Sequence, residues 1–92
     1  MNPDSFQHQT QLIMLEGFRE KLKKLKTEYK KAQKKFDTLC NQLDDQLEHA
    51  KPQFIFEACS HLTMYLAEMD LIDKKIKEIA EIIDNLTLEL SN

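Results

Sequence analysis

Apolar residues recur alternately three and four positions apart along two long stretches of this sequence, from Leu15 to Ala50 and from Ile55 to Leu90. This spacing places the apolar residues of each stretch on one side of an α-helix and is typical of a coiled coil. Each stretch is written as heptads, positions a to g, with Leu15 and Ile55 both at position a. The apolar seam of helix 1 consists of Leu15, Phe18, Leu22, Leu25, Tyr29, Ala32, Phe36, Leu39, Leu43 and Ala50. The seam of helix 2 consists of Ile55, Ala58, Leu62, Tyr65, Met69, Ile72, Ile76, Ile79, Ile83, Leu86 and Leu90.

The two stretches cannot form one continuous helix. Ala50 and Ile55 are successive a positions only five residues apart, and no inserted turn of three or four residues explains that shift. Pro52 lies between them, and proline breaks a helix interior but suits the first turn of a new helix. We predict a single domain, residues 1–92, with helix 1 at about residues 5–50, a corner at 51–53 and helix 2 at about 53–90.

The seams also predict how the helices pair. When the second helix folds back on the first, each a position faces a d position, and the two residue numbers add to 101 in nine successive layers. A large residue faces a small one where Leu43 meets Ala58 and where Met69 meets Ala32. We therefore predict an all-α fold, an antiparallel two-helix coiled-coil hairpin.

Further apolar residues lie outside both seams, mostly in helix 2, and a two-helix hairpin has no place to bury them. One interpretation is that they are ordinary exposed apolar residues. We favour a partner or dimer interface, in the simplest case a homodimer that forms a four-helix bundle. The interface residues so predicted are Cys40, Leu47, Phe54, Phe56, Cys59, Met64, Leu66, Leu71, Ile82 and Leu88.

Basic residues concentrate in the Arg19–Lys35 stretch although the net charge is −3. The predicted pairing places this stretch beside an acidic part of helix 2, which favours a solvated, salt-bridged face. The same stretch is open to a second interpretation, a charged contact face for an acidic partner or for nucleic acid phosphates. The residues of that possible face are Arg19, Lys23, Lys24, Lys30, Lys31 and Lys34.

The residues that often bind metals do not form a metal-binding pattern here. Cys40 and Cys59 fall on one flank of the predicted hairpin, whereas His49 and His61 fall on the other, so a Cys₂His₂ zinc site is not expected. We expect two reduced thiols, with a disulfide between them as a minor alternative. No motif for catalysis or for a cofactor is present, and we expect neither enzymatic activity nor a cofactor.

The expected location is the cytoplasm, because the N-terminus lacks a basic region followed by an apolar run. No apolar run approaches the roughly 20 residues of a spanning helix, so no membrane association is expected. The leading hypothesis is a non-enzymatic interaction module, a small adaptor or chaperone-like hairpin that self-associates, shields an apolar partner helix, or both. There are two alternatives. One is a nucleic-acid-associated factor that uses the basic face Arg19–Lys35, which we favour less than the interaction module. The other is a purely structural homo-oligomer.

Overall fold

The computed structural model describes residues 3–91, and all of its regular secondary structure is helical. Helix α1 comprises Pro3–Gln46 and helix α2 comprises Pro52–Ser91. The two helices pack against each other as a hairpin, which confirms the predicted all-α hairpin. Dimerisation remains a separate question.

Contacts divide the hairpin into two units, each built from a segment of α1 and a segment of α2. The terminal unit combines the part of α1 up to Lys26 with the part of α2 from Lys74 onward, and the corner unit is Thr27–Asp73. In the terminal unit, Leu15 is buried and Gln11 Nε2 donates a hydrogen bond to Glu89 Oε2 over 3.1 Å. Gln11 faces Leu90 in the predicted register, so this bond to the adjacent residue agrees with the predicted antiparallel pairing.

The core of the corner unit consists of Ala32, Ala58 and Ile72, whose side chains are buried. All three are d positions of the predicted seams. The remaining apolar a and d residues are half-buried, whereas Gln46, the polar residue in the d series, is exposed. The seam therefore forms the contact between the helices, and a single stripe of this width buries few side chains completely.

The corner begins earlier than the heptads predict. Helix α1 ends at Gln46, and the backbone N–H of His49 donates to the Gln46 carbonyl over 3.0 Å in the turn that follows. Its last turn has no basic residue and contains Asp44 and Asp45, whose negative charges are unfavourable at the negative end of the helix dipole. Leu47, expected at position e of the helix, lies in this turn instead.

Proline occupies the first residue of both helices. Helix α2 begins at Pro52, which the prediction had placed in the corner, one residue before the expected start at about residue 53, and the Ile55 N–H donates to the Lys51 carbonyl over 3.2 Å to close its first turn. Helix α1 begins at Pro3, two residues before the expected start. Both positions agree with the general preference, because proline has the backbone angle of a helix and the first turn does not need its missing N–H.

Candidate interaction surfaces

Large apolar side chains remain exposed in both units. In the corner unit they are Leu47, Phe56, Met64, Leu66 and Leu71. In the terminal unit they are Phe6, Leu12, Ile13, Met14, Ile82 and Leu88. The accessible surface of the chain is 7503 Å², against about 5,600 Å² for a typical folded monomer of this mass. The hairpin contact thus leaves much of the apolar surface uncovered.

The residues predicted for an interface differ in exposure. Cys40 and Phe54 are half-buried at the side of the seam. The others are exposed, namely Leu47, Phe56, Cys59, Met64, Leu66, Leu71, Ile82 and Leu88. Their exposure leaves them accessible to a partner, and whether a partner covers them stays a prediction.

One side of α2 in the corner unit repeats the coiled-coil spacing outside the seam. Phe56, Cys59, Thr63 and Leu66 follow one another at intervals of three, four and three residues and are all exposed. We call these four residues, with Cys40 of α1, the cysteine flank. Phe56 is 73% exposed and Leu66 is 51% exposed. The α2 residues of this stripe occupy heptad positions b and e. They give α2 a second apolar face beside the one that packs on α1.

The hydroxyl groups on or beside the cysteine flank bond within the helix. Thr63 Oγ1 donates to the Cys59 carbonyl over 2.9 Å, and Ser60 Oγ donates to the Phe56 carbonyl over 3.1 Å. A hydroxyl that donates to its own helix does not lose a hydrogen bond when a partner excludes water. The flank is therefore suited to burial against apolar side chains.

The opposite side of the corner unit has an open groove of about 500 Å³ between α1 and α2. Its residues on α1 are Lys31, Lys34, Lys35, Thr38, Leu39 and Gln42, and those on α2 are His61 and Tyr65. We call it the lysine groove. Leu39 and Tyr65 are seam residues and form its apolar floor, whereas the lysines form one rim.

Some of the basic residues predicted as a contact face line a groove, and each unit has one such groove. All six are exposed, but Lys31 and Lys34 line the lysine groove of the corner unit, whereas Lys24 lines a separate groove of the terminal unit. Lys35, which the predicted face omits, also lines the lysine groove. Sequence periodicity locates these lysines on the helix but does not show which ones border an apolar floor.

The terminal unit has an exposed apolar surface that the predicted interface does not include. Leu12, Ile13 and Met14 are exposed immediately before buried Leu15. Four consecutive apolar residues cover positions e, f, g and a, which is wider than one seam can bury, and this signal was available in the sequence. Met14 also lines an open groove of about 520 Å³ along α1, with Gly17, Phe18, Glu20, Lys21 and Lys24.

Among the side chains that the structure describes, those of residues 5–91, no group of three or more histidines, cysteines, aspartates and glutamates is placed to hold a metal ion. Cys40 and Cys59 are free thiols in the structure. In the part of the chain with described side chains, no polar or charged residue is buried. The described helices include no segment that combines the length and apolar character needed to cross a membrane.

Comparison with known proteins finds no family model, no curated protein and no solved structure that matches this chain. The cysteine flank and the lysine groove, both in the corner unit, differ in chemical character: the flank is mainly apolar, and the groove has a basic rim.

Proposed function

We propose that this protein is a non-enzymatic protein-interaction module whose cysteine flank is covered by a helix of another chain. The observation that supports this best is the second heptad-spaced stripe on α2, which is exposed and has its hydroxyls satisfied internally. An unpartnered stripe with coiled-coil spacing fits the recognition mode in which an amphipathic helix packs against an apolar face. The class of protein is thus an adaptor or chaperone-like hairpin.

The physical reason for a partner is the small core of the hairpin. Only Leu15, Ala32, Ala58 and Ile72 are buried among the described residues, and two of these are alanines. Burying a side chain such as Leu66 or Phe56 contributes about 1.5–3 kcal/mol relative to leaving it exposed. A partner on the cysteine flank therefore adds stability of the same order as several seam residues contribute.

A second copy of the chain is the simplest occupant of the flank. Two identical surfaces that meet about a twofold axis bury the same residues on both copies, and closed dimers of this kind are the commonest oligomers. Two hairpins joined in this way form a four-helix bundle. An apolar helix of a different protein, shielded by the same flank, is the related chaperone-like form of the proposal.

Thiol reactivity tests this proposal, because exposed Cys59 lies within the stripe. In a Cys40→Ala background, we expect the labelling rate of Cys59 by a water-soluble maleimide to fall as protein concentration rises, since association covers the thiol. Leu66→Glu is expected to restore the fast, concentration-independent rate. The control is Ala67→Glu, which introduces the same charge one residue away, at outward position f.

Two outcomes contradict the proposal in its homodimer form. One is a Cys59 labelling rate that is fast and independent of protein concentration in the Cys40→Ala protein with Leu66 intact. The other is equal protection in the Leu66→Glu and Ala67→Glu proteins, which would place the contact on another surface.

A nucleic-acid-associated function is the second candidate, and the exposure of all six predicted basic residues favours it. The basic stretch contains Tyr29 and is flanked by Phe18 and Phe36. All three rings are half-buried in the seam, which limits base stacking on them. This candidate predicts binding to single-stranded oligonucleotides that weakens steeply with salt and is lost when Lys23, Lys30 and Lys34 are changed to glutamine. Salt-insensitive association instead supports the apolar flank.

A further inference from the structure

We infer that the lysine groove is a second docking site, which takes an acidic amphipathic helix of a partner protein. The inference rests on the proposed function only in that the partner is a protein. It uses the side of the corner unit opposite the cysteine flank, and the two sites share no residue.

The charge of the groove is opposite to that of the unit around it. Acidic residues outnumber basic residues in the corner unit, yet none of the groove residues is acidic. The acidic residues of this unit are Glu28, Asp37, Asp44, Asp45, Glu48, Glu57, Glu68, Asp70 and Asp73. The basic residues are Lys30, Lys31, Lys34, Lys35 and Lys51. Three of these five lysines line the groove. The groove is therefore positively charged, although the unit as a whole has more acidic than basic residues.

The rim consists mainly of hydrogen-bond donors. Lys31, Lys34 and Lys35 are all exposed, so their ammonium groups are accessible to a partner. Thr38, Gln42 and His61 add a hydroxyl, an amide and a ring N–H that are also able to donate. Carboxylates are the matching acceptors, and bonds between an ammonium and a carboxylate are stronger than those between neutral groups.

The floor of the groove and its α2 side are apolar, and they would pack against an apolar face of the same partner. Leu39 and Tyr65 form the floor. Met64 and Leu71 are 66% and 57% exposed. Met64 is three residues after His61, so it lies on the same side of α2 as the groove. Seven residues separate Met64 from Leu71, so these side chains extend the apolar surface along that side of the helix.

These features favour a helix over the other anionic ligands. The groove is open to solvent, whereas a small-molecule site usually encloses most of its ligand. A single-stranded nucleic acid also needs accessible rings on which its bases stack, but Tyr65, the aromatic residue of the groove, is half-buried. An amphipathic helix with glutamates along the edge of its apolar face satisfies the lysine rim and the apolar floor together.

The test uses a fluorescein-labelled peptide of three heptads, each Glu-Ile-Ala-Glu-Leu-Glu-Gln, and its counterpart with every glutamate replaced by lysine. Binding to the full-length protein is followed by fluorescence anisotropy, and amide chemical shifts locate the site. We expect the acidic peptide to bind, the lysine peptide not to bind, and the shifted amides to cluster in residues 31–42 and 61–65.

Charge reversal provides the decisive comparison. Lys31→Glu with Lys35→Glu reverses two charges of the groove and is expected to weaken peptide binding by about tenfold or more. The matched control, Lys30→Glu with Lys51→Glu, changes the net charge equally in the same unit and is expected to change binding less than about twofold. Helical content and thermal unfolding of both variants, measured alongside, verify that each is folded.

Several outcomes overturn the inference. These are no binding of the acidic peptide, equal weakening by both double variants, amide shifts confined to the cysteine flank, or tighter binding of a thymidine oligonucleotide than of the peptide. Labelling of Cys59 reports on the cysteine flank independently. Concentration-dependent protection with no peptide binding contradicts this inference alone, and the reverse result contradicts only the homodimer proposal.

Discussion

Gly17 lies inside α1, where a glycine weakens a helix because it has no side chain to restrict the unfolded backbone. A Cβ atom built on Gly17 has nothing within 4 Å, and no described residue has a positive φ. We therefore predict that Gly17→Ala raises the free energy of unfolding by about 1 kcal/mol, measured by urea denaturation. No change or a loss of stability would contradict this prediction.

Of the side chains that the structure describes, those of Ala32 and Ala58 are the most deeply buried, at 2% and 4% exposed. Because both lie at seam positions opposite larger side chains, Ala32→Leu or Ala58→Leu forces the helices apart. Overpacking of this kind costs about 1–3 kcal/mol of stability. The control is Ala67→Leu, an exposed alanine of α2, for which we predict no loss. Equal unfolding midpoints for the three variants would mean that the alanines do not limit the approach of the helices.

At the scale of the helices, we attribute the early end of α1 to the unfavourable charges of Asp44 and Asp45 in its last turn. Replacing both Asp44 and Asp45 by lysine places favourable charges at the helix C-terminus, and each change contributes about 0.3–1 kcal/mol at low ionic strength. We predict higher helical content by circular dichroism and a higher unfolding midpoint, with the gain reduced in concentrated salt. Asp37→Lys, an exposed mid-helix change, serves as the control. A gain of the same size in that control would refute the dipole explanation.

The heptad pattern predicted the helices, their antiparallel pairing and the contact stripe, because periodicity determines which residues of a helix face its neighbour. It did not predict the end of α1, since the seam spacing contains no information on charge at a helix end. Leu47 illustrates this difference, because its spacing matches position e but it lies in a turn.

The candidate surfaces were predictable only in part. Cys59 and Leu66 were predicted as interface residues from their position beside the seam. Thr63 was not, because threonine is a polar residue and the sequence does not show that its hydroxyl bonds within the helix. The lysine groove combines α1 lysines with an α2 tyrosine and histidine. The packing of two helices brings these residues together, so no local pattern in either helix indicates the groove.

At the scale of the whole molecule, few of the described residues are buried, and large apolar side chains are exposed in both units. A self-associating hairpin whose cysteine flank is covered accounts for the exposure of Phe56 and Leu66 in the corner unit. Because the contact is apolar, we predict that its dissociation constant changes little between low and moderate salt, measured by sedimentation equilibrium. A steep salt dependence would instead indicate that the lysines form the contact.

Molar mass in solution tests the central claim most directly, measured by light scattering over a concentration series with helical content followed in parallel. The chain mass is 10.9 kDa. We predict a helical species of twice that mass for the unmodified protein and for Ala67→Glu, and a species of 10.9 kDa for Leu66→Glu. A fully helical monomer at every concentration, unchanged by Leu66→Glu, would contradict the account.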